Sequence, residues 1–522
     1  MSRGSFDVIM AGMKAFITAL LLAWYALFLL HPVDLTTADL GRHIKNGEMI
    51  LQGHFEVLNA NTYSYTQPGF PVINHHWGSG VVFFLIHKFA GFSGLSIFYI
   101  LASLAAFLLL FRLTEEESGS GIAVPVSLLL IPLIAERFEI RPEVFSYFFS
   151  AVFFWILWHY KAGKRSELWL FLLPILQFIW VNLHIYFILG PALIGIFLVS
   201  EFAENLNTIN IKVRKLGFTL FFTIFACLLN PFGLKGALAP LKIFENYGYR
   251  LVENQSVRFL DKLGLMNPNL MLFKIAFAVL FLSFVLVLIT NRRNFSIIYL
   301  FLGAVLGTMA WLALRNLTIF GLFALPIISY NIKQGLTAKI RTGPYAAISI
   351  ILLSLVIFAS AMHSHYHRLY LFNEFPLGLK TGVNSSAEFF IGENLRGPVL
   401  NNYDIGGYLI YHLYPREKVF VDNRPEAYPA SFFKDIYVPL QESRPIFKEQ
   451  DMLHHFNAIF FSWHDATPWG QKFIIDRVSD PAWAPVFADQ YAIIFLKRNK
   501  LNSPIIQRYE ISKDHFSVIK TK

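Results

Sequence analysis

The sequence predicts an α-helical polytopic membrane protein that ends in a small extracytoplasmic α/β domain, and three observations carry that prediction. Apolar runs near bilayer-crossing length recur through the first 362 of the 522 residues, in a chain that is 55% hydrophobic and 15% charged. Lysines and arginines gather in alternate connections between those runs. Beyond residue 362 no run is long enough to span, and short strand-like stretches take over. The net charge of +10 follows from the basic loops, so nucleic acid is a poor partner for this chain.

Taken in order, the expected spans are 11–30, 93–112, 121–135, 143–160, 167–181, 183–200, 216–230, 270–290, 296–313, 316–331 and 345–362, about eleven in all. The first is long and lacks a small-residue cleavage site, so it reads as a retained span. A shorter apolar helix between Trp77 and Ala90 reads as re-entrant or interfacial. With Arg3 and Lys14 inside, the alternation puts the loops of Lys161, Lys164 and Arg165, of Lys212, Arg214 and Lys215, of Arg292 and Arg293, and of Lys333, Lys339 and Arg341 on the cytoplasmic side. The large first loop, 34–77, then lies outside. So do the 136–143 loop, the Asn182-Leu183-His184 turn, the stretch from Asn230 to Asn269, Arg315-Asn316, and residues 363–522. The location is therefore the cytoplasmic (inner) membrane, with domains at 1–362 and 363–522. In the second domain, 398–402, 418–422, 458–461 and 491–496 read as short buried strands, with a helix over 385–394.

The first loop concentrates the polar chemistry. Leu40, Ile44 and Leu51 form one helical stripe, and Asp39, Arg42, His43 and Asn46 another at i, i+3, i+4, i+7. Asp39 is either a general base for a hydroxyl acceptor or the acid of a capping box with Thr36; Asp34 is the second candidate. His75 and His76 are adjacent, which is not the i, i+4 spacing of a helical zinc pair. They read as hydrogen-bonding groups, with a metal or a phosphate held by one of them with Asp39 as the alternative, and no cofactor is called for. The 136–143 loop packs Glu136, Arg137, Glu139, Arg141 and Glu143 together. These pair with one another, or Arg141 and the similarly placed Arg315 hold a phosphate. Trp180, Asn182 and His184 line the same cavity or anchor the interface.

The 403–408 and 422–425 clusters read as turn chemistry before ligand binding. The sole cysteine, Cys227, excludes an intramolecular disulfide and a cysteine zinc site. No Walker loop, dinucleotide glycine fingerprint, His-Glu-x-x-His or G-x-S-x-G elbow occurs.

The order Asp39, His43, Gly47, Gly53, Pro71, Asn74-His75-His76-Trp77, then Lys88-Phe89-Ala90-Gly91, resembles the first loop of GT-C class integral-membrane glycosyltransferases. More narrowly, DLGRHIKNGE, NTYSYTQPG, NHHW, IRPEVFSY, WVNLH, LNPFG and YDIGGYLIYHLYPREKVFVDNR are similar to stretches of a set of bacterial membrane proteins sharing this architecture. The resemblance implies a GT-C-like fold and inverting transfer of a sugar from a polyprenyl-phosphate donor to an envelope glycan, lipid or protein acceptor on the outer face. Asp39 or Asp34 would be the base, and Arg42, His43, His75, His76, Arg141, His184 and Arg315 would bind substrate. Many GT-C enzymes carry a second acid directly after the first, where this chain has Leu40. A non-catalytic binder or transporter of lipid-linked saccharide, or an envelope-assembly subunit, is the alternative.

Overall fold

The structure is a computed structural model that describes residues 3–204, 209–242, 245–265, 267–336, 377–463 and 465–517. The span expected at 345–362 lies outside the described residues, as do Lys339, Arg341 and Lys522. The chain forms two compact units. One comprises Met1–His31, Ser96–Leu241 and Leu251–Leu377; the other comprises Pro32–Leu95, Lys242–Arg250 and Gly378–Lys522.

The first unit is helical, and the Trp77–Ser118 helix belongs to it only from Ser96 onward. Four of the described helices are long and apolar enough to cross a membrane: Ala11–Leu29, Trp77–Ser118, Ile185–Glu204 and Pro268–Thr290. Ser120–Ile134, Glu167–Val181 and Ile297–Leu312 are apolar but shorter. The Trp77–Ser118 helix is broken at Gly91, whose φ of 63° and ψ of −163° suit glycine alone. The short helix expected after Trp77 is its first segment. At the centre of the unit, Leu317–Gly335 is buried on nearly every side, as a helix apolar all round must be. It packs on Ser120–Ile134, Pro268–Thr290 and Ile297–Leu312.

The second unit contains a four-stranded sheet: β1 (Val399–Asn401), β2 (Ala458–Ser462), β3 (Trp483–Ala488) and β4 (Ala492–Lys497), in the order β1-β2-β4-β3. β1 and β2 are parallel, and the other pairings are antiparallel. β2 is buried on both faces, which explains its unbroken apolar run. The 418–422 stretch is not a sheet strand, contrary to expectation. Its Val419 makes an isolated bridge to Ser64, and side chains take most of its backbone groups. Asn401 accepts from Phe420 N and donates to Val421 O, while Ser64 and Thr66 hydroxyls donate to Phe420 O. The first loop thus folds with the C-terminal segment. Val33 N–H donates to Gly378 O at 2.7 Å, and Lys380 N–H returns to Val33 O at 2.9 Å.

Candidate functional site

The helix of the first loop runs Leu40–Leu51 and buries Arg42, His43 and Asn46. Close packing dictates Gly47, where an added Cβ would lie 2.1 Å from the carbonyl oxygen of Gly80. Asp39 occupies the N-cap position, but its side chain makes no capping bond. The expected capping box with Thr36 does not form, because Thr36 turns the other way. Its N–H and hydroxyl both donate to Asp34 Oδ1, at 3.0 and 2.6 Å, and Asp34 also faces Lys380 Nζ at 3.6 Å. Asp34 is thereby committed to a local turn.

The Asp39 carboxylate instead meets Arg42 Nη2 and His43 Nε2, each at 3.3 Å. Asp39 exposes 21% of its side chain, whereas Arg42 and His43 expose 6% and 1%. The acid is thus the accessible edge of a constellation whose basic members are buried. Arg42 Nε donates to Asn423 Oδ1 at 3.1 Å, and Asn46 accepts from the Tyr63 hydroxyl at 2.6 Å. The His76 ring packs against His43 at 5.5 Å and against His75 at 4.2 Å. His75 Nδ1 lies 3.1 Å from Ile73 O.

Asn423 is held in place by its neighbours. Arg424 makes a fork to Asp422 with bonds of 2.8 and 2.7 Å, reaches Asn61 Oδ1 at 3.0 Å, and lies over the Tyr63 ring. Burial pulls the Arg424 pKa down, but the Asp422 carboxylate more than reverses this and holds it above the ordinary arginine value. Planar, bidentate pairing of this kind fixes orientation as well as charge. Glu426, two residues on, has its pKa raised by burial, against the pull of Arg42 and Arg424.

The other arginines meet in the helical unit. Glu253 accepts from Arg137 at 2.8 Å, Arg141 at 3.2 Å and Arg315 at 2.6 Å. Glu143 lies 3.8 Å from Arg137 and 3.9 Å from Arg315, and Glu139 pairs with Arg141 at 2.8 Å. Burial raises the Glu253 pKa, but the three guanidiniums overcome this and hold the carboxyl far below the usual range. Arg141 and Arg315, expected as phosphate ligands, are therefore brought together around a carboxylate. His184 is 3% exposed and caps a 3-10 turn by accepting from Tyr186 N–H; its Nδ1 lies 2.7 Å from Ser146 Oγ, which also accepts from Trp180 Nε1 at 2.7 Å. His184 is thus buried at a helix start beside Ser146.

Glu253 and Arg137 are the residues that the sequence reading did not single out as site members. Glu253 is one of three acids in the stretch 230–269. Its arginine partners lie 116, 112 and 62 residues away, so no spacing signals it. Among the described residues, no group of three or more His, Cys, Asp or Glu side chains is gathered so as to hold a metal ion.

No protein-family model matches the chain, and no curated protein does. Solved structures do match. The archaeal oligosaccharyltransferase AglB from Archaeoglobus fulgidus, solved with an inhibitory peptide and a dolichol-phosphate, is similar over 92% of this chain and 74% of its own, with a TM-score of 0.54 and 10% identity. ArnT from Cupriavidus metallidurans in the apo state is similar over 93% and 98%, with a TM-score of 0.52 and 12% identity. The chain has the GT-C fold. At these identities the GT-C fold is what the likeness establishes, and chemistry rests on the residues themselves.

Proposed function

We propose that this chain is an inverting GT-C glycosyltransferase that moves a sugar from a polyprenyl-phosphate donor to an acceptor on the outer face of the membrane. The observation that carries the proposal is Asp39: a carboxylate at a helix start that makes no capping bond and is held, 21% exposed, against buried Arg42 and His43. The dolichol-phosphate in the AglB structure supports a lipid-phosphate carrier.

In the proposed reaction Asp39 takes the proton of an acceptor hydroxyl as its oxygen attacks the anomeric carbon. The bond from that carbon to the phosphate oxygen breaks, and the lipid phosphate leaves with the electron pair. One displacement inverts the centre and needs only the base and a cation for the leaving group. Arg42 is the cation proposed beside the base, with His43 and His76 behind it. Arg141 and Arg315 are a further proposed phosphate site, for which Glu253 would have to give way. A non-catalytic binder of the same lipid is the second reading, and Leu40, in place of a second acid, favours it.

Asp39→Asn separates the two. With purified protein in lipid, a mixture of polyprenyl-phosphate sugars and envelope acceptor, product is followed by mass spectrometry. Loss of the base lowers the rate by about 10²–10⁴ with donor affinity little changed. Full turnover in Asp39→Asn removes this residue as the base. Bound donor without turnover in the parent protein favours the binder.

A further inference from the structure

At the end of the helical unit that carries the basic loops, a groove of about 610 Å³ opens between the Glu167–Val181 and Ile211–Ala226 helices. That volume is within the ~300–1,000 Å³ range of small-molecule sites. Its walls are apolar and outward-facing: Leu168, Phe171, Phe218 and Phe222 expose 69%, 71%, 66% and 53% of their surface. Its mouth is charged, with Arg165 on one side and a Lys215–Glu167 ion pair on the other.

Three features of the mouth point to an anion. The Arg165 guanidinium carbon lies 5.4 Å from the Trp155 ring centroid and 5.5 Å from that of Trp169, and the two indoles pack on each other at 5.6 Å. A cation–π contact of this kind takes up one side of the guanidinium and leaves the N–H donors on its far side available for a planar or tetrahedral oxyanion. Neighbouring Lys161 and Lys164 are paired with Glu204 and Glu116, whereas Arg165 has no carboxylate partner among the described residues. Finally, the Ile211–Ala226 helix, which brings Lys215 to the groove, has no acid in its first turn. The macrodipole there disfavours cations and favours anions. An apolar trough below an arginine whose donors remain available matches one occupant, a phospholipid with its acyl chain in the trough and its phosphate at Arg165.

We infer that the groove between these two helices is a binding site for an anionic phospholipid of the leaflet that faces the basic loops. It is separate from the donor and acceptor chemistry proposed above, and that proposal can fail without affecting it.

The test is native mass spectrometry of the full chain in detergent, titrated in parallel with phosphatidylglycerol and phosphatidylethanolamine. Phosphatidylglycerol should be retained preferentially. Arg165→Gln should reduce that preference about fivefold, the contribution of one cation near an anionic headgroup. Glu167→Gln removes the local negative charge and releases Lys215, so it should strengthen retention by a similar factor. Equal retention of the two lipids, or a preference unchanged by Arg165→Gln, overturns the site in favour of ordinary annular lipid. Thermal melting checks that each variant is folded. If Arg165→Gln fails to fold, Glu167→Gln decides alone: stronger phosphatidylglycerol retention supports the site, and no change overturns it.

Discussion

Glu253→Gln keeps the shape of the side chain at the centre of the arginine cluster and removes its charge. In the native protein three arginines face Glu253, Glu143 and Glu139, so the cluster balances. The variant leaves one positive charge uncompensated, and a glutamine carbonyl can serve one guanidinium well where the carboxylate served three. Removing one partner from a buried ion pair typically costs 3–5 kcal/mol. Glu253 is 20% exposed, so solvent compensates part of that, and ~2–3 kcal/mol is expected. For a unit of this size that corresponds to a fall of about 3–5 °C in melting temperature.

The pH dependence has a definite sign. The folded-state pKa of Glu253 is depressed, so its contribution is full above the ordinary carboxyl value and is lost as pH falls toward the depressed one. The wild type should therefore lose stability on acidification, and the variant should lack this component. Sulfate or phosphate should then stabilise the variant more than the wild type, by about 2.7 kcal/mol when present at 100 times its Kd. The assay is thermal melting of purified protein in detergent across pH and anion concentration. Equal melting temperatures for the two proteins, with equal responses to sulfate, would refute the assignment of Glu253 as the cluster's counter-anion.

Three further outcomes follow from the second unit and the first helix. Gly47→Ala would drive a methyl into the Gly80 carbonyl and should destabilise by 3 kcal/mol or more, at or above the upper end of the ~1–3 kcal/mol range for overpacking; Gly12→Ala, with nothing within 4 Å, should melt like the wild type. Arg424→Lys replaces a planar fork to Asp422 and Asn61 by a point charge and should cost ~2–4 kcal/mol, whereas Arg498→Lys at the exposed Glu510 pair should cost under ~1 kcal/mol. Burial, followed by the Asp465 charge, pushes the Asp404 pKa up to about 6. A raised carboxyl pKa contributes stability that is full at low pH and lost as pH rises through about 6. Asp404→Asn should therefore stabilise at pH 8, by up to ~3 kcal/mol, and make little difference near pH 4, as read by melting curves at the two pH values.

Elements set by local composition were readable from the sequence. The described apolar runs are helices, and the break before residue 93 falls at Gly91, where the chain holds a φ that a side chain would resist. Of the polar stripe, Asp39 meets Arg42 and His43, while Asn46 pairs with Tyr63. What could not be read depends on groups distant in sequence. The 418–422 stretch has strand-like residues, yet Asn401, Ser64 and Thr66 take the backbone groups that a neighbouring strand would have used. β3 escaped notice because Pro485 sits within it, and proline argues against a strand in sequence. Asp39 satisfied the capping pattern, but Thr36 found Asp34 instead, and two residues of spacing could not decide between those acids.

The bonds from the first loop to the C-terminal segment also set a timetable for biosynthesis. Asn61 donates to Ala427 O and accepts from Arg424, across 366 and 363 positions of chain, and Ser64 donates to Phe420 O across 356. At the usual 5–20 residues per second of translation, the partners of this loop leave the ribosome roughly 20–70 s after it does. Through that interval the buried face of Leu40–Leu51, with Arg42 and His43 on it, has not yet met Asn423. The nascent loop is thus exposed to proteases and to premature pairing until synthesis is nearly finished. A chain truncated before residue 420 should leave it cleavable, whereas the full-length protein should protect it. Quality control acting on this protein would in effect test the end of the chain through the state of its beginning.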